Sequence, residues 1–175
     1  MKTIFRARTS FAELVRADLR RPHPFAAERV GFITIRAATT ETTLLLIAQD
    51  YHPIADGDYV PDLSVGAMIG QEALRKALEI ALLNKVGIFH VHMHDWPGQL
   101  WFSRTDLREQ LKFVPDFFKV RRKMPHGAVV LGPSAAAGRV WLGPDEIDRI
   151  SEFNFIGPRV EVFHSDASGT VDYGQ

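Results

Sequence analysis

Phe89-His90-Val91-His92-Met93-His94-Asp95-Trp96-Pro97-Gly98-Gln99-Leu100-Trp101-Phe102-Ser103-Arg104-Thr105-Asp106 sets three of the chain's seven histidines at every second position. A loop rich in aromatic residues then leads to Ser-x-x-Asp. In an extended strand, residues i, i+2 and i+4 point to the same face, so His90, His92 and His94 converge on one side of a sheet. Imidazoles packed that closely repel one another when protonated. They fit best as neutral ligands sharing a cation or as a hydrogen-bonded row.

Working outward, Gln71 to Lys85 carries Leu74, Ala77, Leu78, Ala81 and Leu82 on one helical face. Gly87 closes that helix and opens the buried strand Ile88 to Met93. Upstream, Val30 to Arg36 alternates and is β-branched, which predicts a strand, with Thr42 to Ala48 as its hairpin partner across Thr39-Thr40-Glu41. Residues 10–21 show a helical stripe at Phe11, Leu14, Val15 and Leu19, with Ser10 as N-cap, stopped by Pro22 and Pro24. A second short helical turn is expected from Phe25 to Arg29, and Asp50 to Gly66 is a long connection of the kind that often carries function.

Downstream, Thr105 to Leu111 predicts a helix, followed by a mixed segment with Pro115, Phe117 and Phe118. Strands are expected at Ala128 to Leu131 and Arg139 to Leu142, then a boundary at Gly143-Pro144. Glu146 to Phe155 suggests a short helix, Arg159 to Phe163 a strand, and Ser165 to Gln175 a frayed end. The expected architecture is an α/β (α+β) domain over residues 1–143, a mixed sheet flanked by helices, with a C-terminal extension over 144–175.

Composition narrows the functions available. Twenty-one basic residues balance twenty-one acidic ones, so no global field recruits nucleic acid or an anionic membrane. Cysteine is absent, which removes disulfides, a thiolate nucleophile and any Cys-type zinc site. No segment approaches the ~18 apolar residues of a membrane span. The N-terminal Met1 to Arg6 lacks the apolar run of a signal peptide, and a cytoplasmic location is expected.

Any metal must therefore be held by His, Asp or Glu. His92 and His94 can reach one ion from the same face, and Asp106, after a loop at the start of a helix, is the natural third ligand. Such a site needs a base to shuttle protons, and Glu28, where the expected helical turn meets the first strand, is the best placed candidate. Ser103 could offer its hydroxyl to a developing oxyanion. Ser103-Arg104-Thr105-Asp106 is also a capping-box pattern, which explains both residues without chemistry. The two readings are compatible. His90 fits equally as a ligand, as the partner of a ligand, or as core.

Glu28-Arg29-Val30-Gly31-Phe32, then His92-Met93-His94, then Ser103-Arg104-Thr105-Asp106, resemble the JAMM motif of JAB/MPN-type zinc metallopeptidases. The resemblance spans roughly residues 10–142 and implies a single MPN/JAB-like domain, a curved mixed sheet with the layering of cytidine deaminases. It implies one Zn²⁺ per chain held by His92, His94 and Asp106, with Glu28 as general base and Ser103 steadying the tetrahedral intermediate. The family cleaves after the C-terminal glycine of ubiquitin-like proteins. Its bacterial members often accompany E1- and E2-like enzymes, some in antiphage defence, so the implied partners are a ubiquitin-like protein or its conjugates. The extended tail of such a partner would add to a strand edge beside the zinc, flanked by Asp50–Gly66 and Leu107–Pro125, with Phe113, Phe117 and Phe118 either gripping it or forming local core.

Two departures stand out. The loop from His94 to Ser103 is one residue longer than in eukaryotic members, with Asp95 in place of their usual proline and Trp96-Pro97-Gly98 placed to absorb the extra residue. His90 is an additional histidine. Two other functions remain open: a catalytically silent MPN-like scaffold, and another metal-dependent hydrolase or a two-His-one-carboxylate iron oxygenase.

Overall fold

The computed structural model describes residues 1–23, 26–62, 66–95 and 100–164. Among these residues, nine strands form one mixed sheet, and three α-helices pack on it. In chain order these are β1 (Lys2–Arg8), α1 (Thr9–Leu19), β2 (Val30–Thr39), β3 (Thr43–Pro53), α2 (Gln71–Asn84), β4 (Gly87–Met93), α3 (Arg104–Val120), β5 (His126–Leu131), β6 (Ala136–Gly143), β7 (Glu146–Arg149), β8 (Glu152–Ile156) and β9 (Val160–His164). Their order across the sheet is β7-β6-β5-β4-β2-β3-β1-β8-β9.

The sheet curls. Only two residues separate β7, beside β6, from β8, beside β1, and they bridge the strands directly: Ile150 N–H donates to Gly138 O and Ser151 N–H to Thr3 O. Phe5 of β1 and Phe89 of β4, on strands that are not neighbours, meet across the interior with ring centroids 6.1 Å apart. Helix α1 fills this concave side through Ala12, Val15 and Leu19. Helices α2 and α3 cover the outer side, packing Ala73, Ala77, Ala81 and Phe117 on Val30, Phe32 and Ile88. Strand β4 therefore has two apolar neighbourhoods, as period-two alternation requires. Phe89, Val91 and Met93 face inward, while Ile88 and the histidines face outward.

The hairpin, the central helix, the histidine strand and the strands at Ala128 and Arg139 stand where the sequence placed them. Five expectations change. Helix α1 starts at Thr9 with Arg8 as N-cap, not Ser10, because β1 runs straight into it. Among the described residues of Phe25 to Arg29, none is helical. Helix α2 ends in Lys85, which takes the left-handed conformation (φ 56°) itself. Gly87 instead lies within β4, where a Cβ would run into the Pro125 carbonyl. Helix α3 continues through Pro115 to Val120 because its second half buries Val114, Phe117 and Phe118.

The fifth is the expected helix from Glu146 to Phe155, which is two strands, β7 and β8. Exposed backbone on β6 and β1 offers each of them a ladder, and Phe153 and Phe155 complete the inner core. Residues 165–175 lie outside the described residues.

His126 ties the two layers together. Its Nδ1 accepts from Ile88 N–H at 3.1 Å, so the neutral ring carries its proton on Nε2, which lies 3.1 Å from Arg121 O at the end of α3. Burial pushes this imidazole down from 6.5 to about 4. The unfolded chain thus takes up the proton first as pH falls, and stability drops between about pH 6.5 and pH 4, by roughly 3 kcal/mol for this group alone. In urea unfolding across that window, His126→Gln is expected to show a shallower pH dependence than the parent chain. An identical slope would remove His126 as a cause.

Candidate metal centre

Register places the cluster. Strands β2 and β4 are antiparallel with Val30 opposite His92. Two residues back from Val30 and two on from His92, Glu28 comes to stand beside His94, whose N–H continues the ladder onto Leu131 O at 2.9 Å. Ligand atoms of Glu28, His92 and His94 all lie within 4.8 Å of one another, and this group could hold a metal ion. The two Nε2 atoms are 3.2 Å apart.

Asp106 reaches the same point from α3. Its Oδ2 lies 3.4 Å from His92 Nε2. The capping box is also real: Ser103 Oγ accepts from Asp106 N–H at 3.1 Å, and Asp106 Oδ2 accepts from Ser103 N–H at 2.8 Å. Both readings of Ser-x-x-Asp thus hold at once, and the cap is what aims the carboxylate at His92. Three of the four proposed metal and base residues form the tight group; Asp106 joins it through His92.

His90 sits one step back along β4 and is half-buried. Its ring packs edge-on against Phe32 and Phe113, with centroids 5.8 and 5.3 Å away, and lies 5.7 Å from the His92 ring. That is a core environment behind the cluster. Phe117 and Phe118 are likewise buried, against Phe32 and His126, so they form core and do not grip a partner. Phe102 closes the near side at 5.8 Å from the His92 ring.

Protonation follows from this burial. Desolvation takes His94 down to about 4 and His90 to about 3, each helped by neighbouring His92. Burial raises the Glu28 carboxyl, against the pull of His92, and Asp106 raises it further. Burial works to raise Asp106 too, but His92 and the two Ser103 bonds outweigh it and hold this carboxyl well below the usual range. Near neutral pH the site thus offers the neutral His94 imidazole beside a firm anion and a carboxylate of raised basicity. That is a donor set for a cation.

Sequence reasoning missed the groups that hold Glu28. Its N–H donates to Gly66 O at 2.9 Å, and a Cβ on Gly66 would come within 2.9 Å of Glu28 Oε2. The next residue, Arg29, is 4% exposed, and its guanidinium donates to Arg21 O, Pro22 O and Asp56 Oδ1 at 2.9, 2.8 and 2.7 Å. Tyr59 Oη then accepts from Val30 N–H at 3.0 Å and donates to Val30 O at 3.2 Å. Each bond fixes the chain where a helical turn was expected. A Tyr in a long connection and an Arg beside a candidate base carry no periodic signal.

Beyond His94, Arg20 grips Asp95 at 3.3 and 3.4 Å. Trp96-Pro97-Gly98, assigned to the longer loop, lies outside the described residues. No protein-family model matches this chain, and no curated protein matches it.

Arg29→Lys keeps the charge but replaces a planar fork by a point donor that cannot serve two carbonyls and a carboxylate together. Urea unfolding is expected to show a loss of about 2 kcal/mol. An unchanged midpoint would mean that Arg29 does not anchor this segment.

Proposed function

We propose that this chain is a zinc-dependent peptidase or isopeptidase of the JAB/MPN type, cleaving after the C-terminal glycine of a bacterial ubiquitin-like protein. The observation that carries the reading is the meeting of His92, His94, Asp106 and Glu28 from three separate elements. Two imidazole nitrogens bound to one tetrahedral zinc stand about 3.3 Å apart, and the two Nε2 atoms here are 3.2 Å apart. The order Glu28, His-x-His, Ser-x-x-Asp supports the same assignment.

In this reading His92, His94 and Asp106 hold the ion. Zinc so held supplies Lewis acidity and lowers the pKa of its water to about 7. Glu28, raised by burial, takes the proton of the attacking water and passes it to the leaving amine. The Ser103 hydroxyl accepts from Asp106 N–H and also bonds the Asp106 carboxylate, so in this reading its hydrogen would turn from that carboxylate to the oxyanion. Partners would be the ubiquitin-like protein or its conjugates, with E1- and E2-like proteins of the same system.

One observation favours a second reading. The tightest group contains Glu28 and not Asp106, which is also a two-His-one-carboxylate arrangement with Glu28 as ligand. Metal analysis after dialysis against zinc separates the two. The proposal expects about one zinc per chain, retained in Glu28→Gln and lost in Asp106→Asn. Loss in Glu28→Gln with retention in Asp106→Asn would make Glu28 the ligand.

For activity, the substrate is a bacterial ubiquitin-like protein bearing a C-terminal extension after its terminal glycine. Cleavage is expected to stop with chelator and to fall about 10²–10⁴-fold in Glu28→Gln. Ser103→Ala should cost about 10²–10³-fold. Metal binding without cleavage of any such fusion would point to the scaffold.

A further inference from the structure

The outer face of the curled sheet is covered unevenly. Helices α2 and α3 pack over β2, β4, β5 and β6. No described helix lies on the outer side of β3, β1, β8 and β9. The registers define that side. Arg36, Ile47, Arg6, Asn154 and Val162 form one row across β2, β3, β1, β8 and β9, and Arg8, Ile156 and Val160 form the next. Three aliphatic residues stand open here: Ile156 at 41% exposure, Val160 at 62% and Val162 at 45%.

Charge on this face is one-sided, although the whole chain is neutral. Arg8 and Arg36 are exposed and make no ion pair or hydrogen bond with a described side chain. Arg6 is held in the plane of the sheet by Asn154 Oδ1 at 3.2 Å. Glu152, one row further along with Ile4 and His164, is already matched by Lys2 at 2.6 Å. Glu161 shares β9 but points inward with Phe155, its registered partner.

We propose that this face docks an acidic amphipathic helix of a partner protein. Its apolar stripe would lie on Ile156, Val160 and Val162, and its carboxylates would meet Arg6, Arg8 and Arg36. A helix suits the face because α2 and α3 cover the other half of the same outer surface, and a sheet buries its apolar face against such a stripe. Charge disfavours a second copy, because an isologous contact brings the same basic patch to the interface from both sides. A single-stranded nucleic acid would want aromatic platforms, and the open residues of these rows are aliphatic.

The test titrates the isotope-labelled full chain with a synthetic helix of about eighteen residues, long enough at about 1.5 Å per residue to cross the strands. It carries leucines on one stripe and glutamates on its flanks. Amide shifts are expected in β1, β8 and β9, with none in α1. Affinity should weaken at least about tenfold in Arg8→Glu/Arg36→Glu and with a peptide whose glutamates are glutamine. Both arginines are exposed, so the double variant should keep the parent circular dichroism. Unchanged affinity in the double variant, shifts confined to other elements, or no binding would each overturn the proposal. So would a concentration-dependent dimer in sedimentation that the double variant abolishes, or tighter binding of oligo-dT than of the peptide.

Discussion

The antiparallel pairing of β2 with β4 is the constraint on which the site depends. With Val30 opposite His92, the start of one strand and the end of the other bring Glu28 to His94, although sixty-six positions separate them in the sequence. A slip of one residue would turn every side chain of β4 to the opposite face. The histidines would then enter the aromatic interior around Phe5 and Phe153, and Phe89 and Val91 would face the helices. Burial on both sides of β4 makes that slip prohibitive, so the packing that stabilises the sheet also fixes the cluster.

Much of this was legible because it is local. Alternation around His90, His92 and His94 gave a strand with one polar-bearing face, and the Ser103–Asp106 spacing gave a capped helix start. Both need only a few consecutive residues. The strands that went unread are those whose identity is decided by distant partners. In β1 the burial of Thr3, Phe5 and Ala7 depends on β3 and β8 lying alongside. The segment from Glu146 to Phe155 has enough apolar residues for a helix, and only the free edges of β6 and β1 decide for strands. Pro115 misled in the other direction. The segment around Pro115 reads as mixed after a helix ending at Leu111, while the burial of Phe117 and Phe118 beyond it carries the helix on.

At the site, the residues that carry chemistry were readable and those that position them were not. Histidine, aspartate and glutamate announce themselves by type and spacing. The bonds of Arg29 to two main-chain carbonyls and Asp56, and of Tyr59 to Val30, belong to chain segments brought together only in the fold. Their effect is to hold Glu28 in place close to Gly66, where a larger residue would push the carboxylate aside. Glycine at 66 is therefore part of the site's geometry without any chemistry of its own.

Proton counting supplies the last constraint. His92 Nε2 lies 3.2 Å from His94 Nε2 and 3.4 Å from Asp106 Oδ2. A neutral imidazole carries one proton, so His92 Nε2 can donate to one of these neighbours and not both. Asp106 is held ionised by His92 and by its bonds from Ser103. The cluster therefore gathers an excess of lone pairs at one point, and helix cap, strand register and core packing all act to keep them there. A cation resolves that excess without disturbing any of the three.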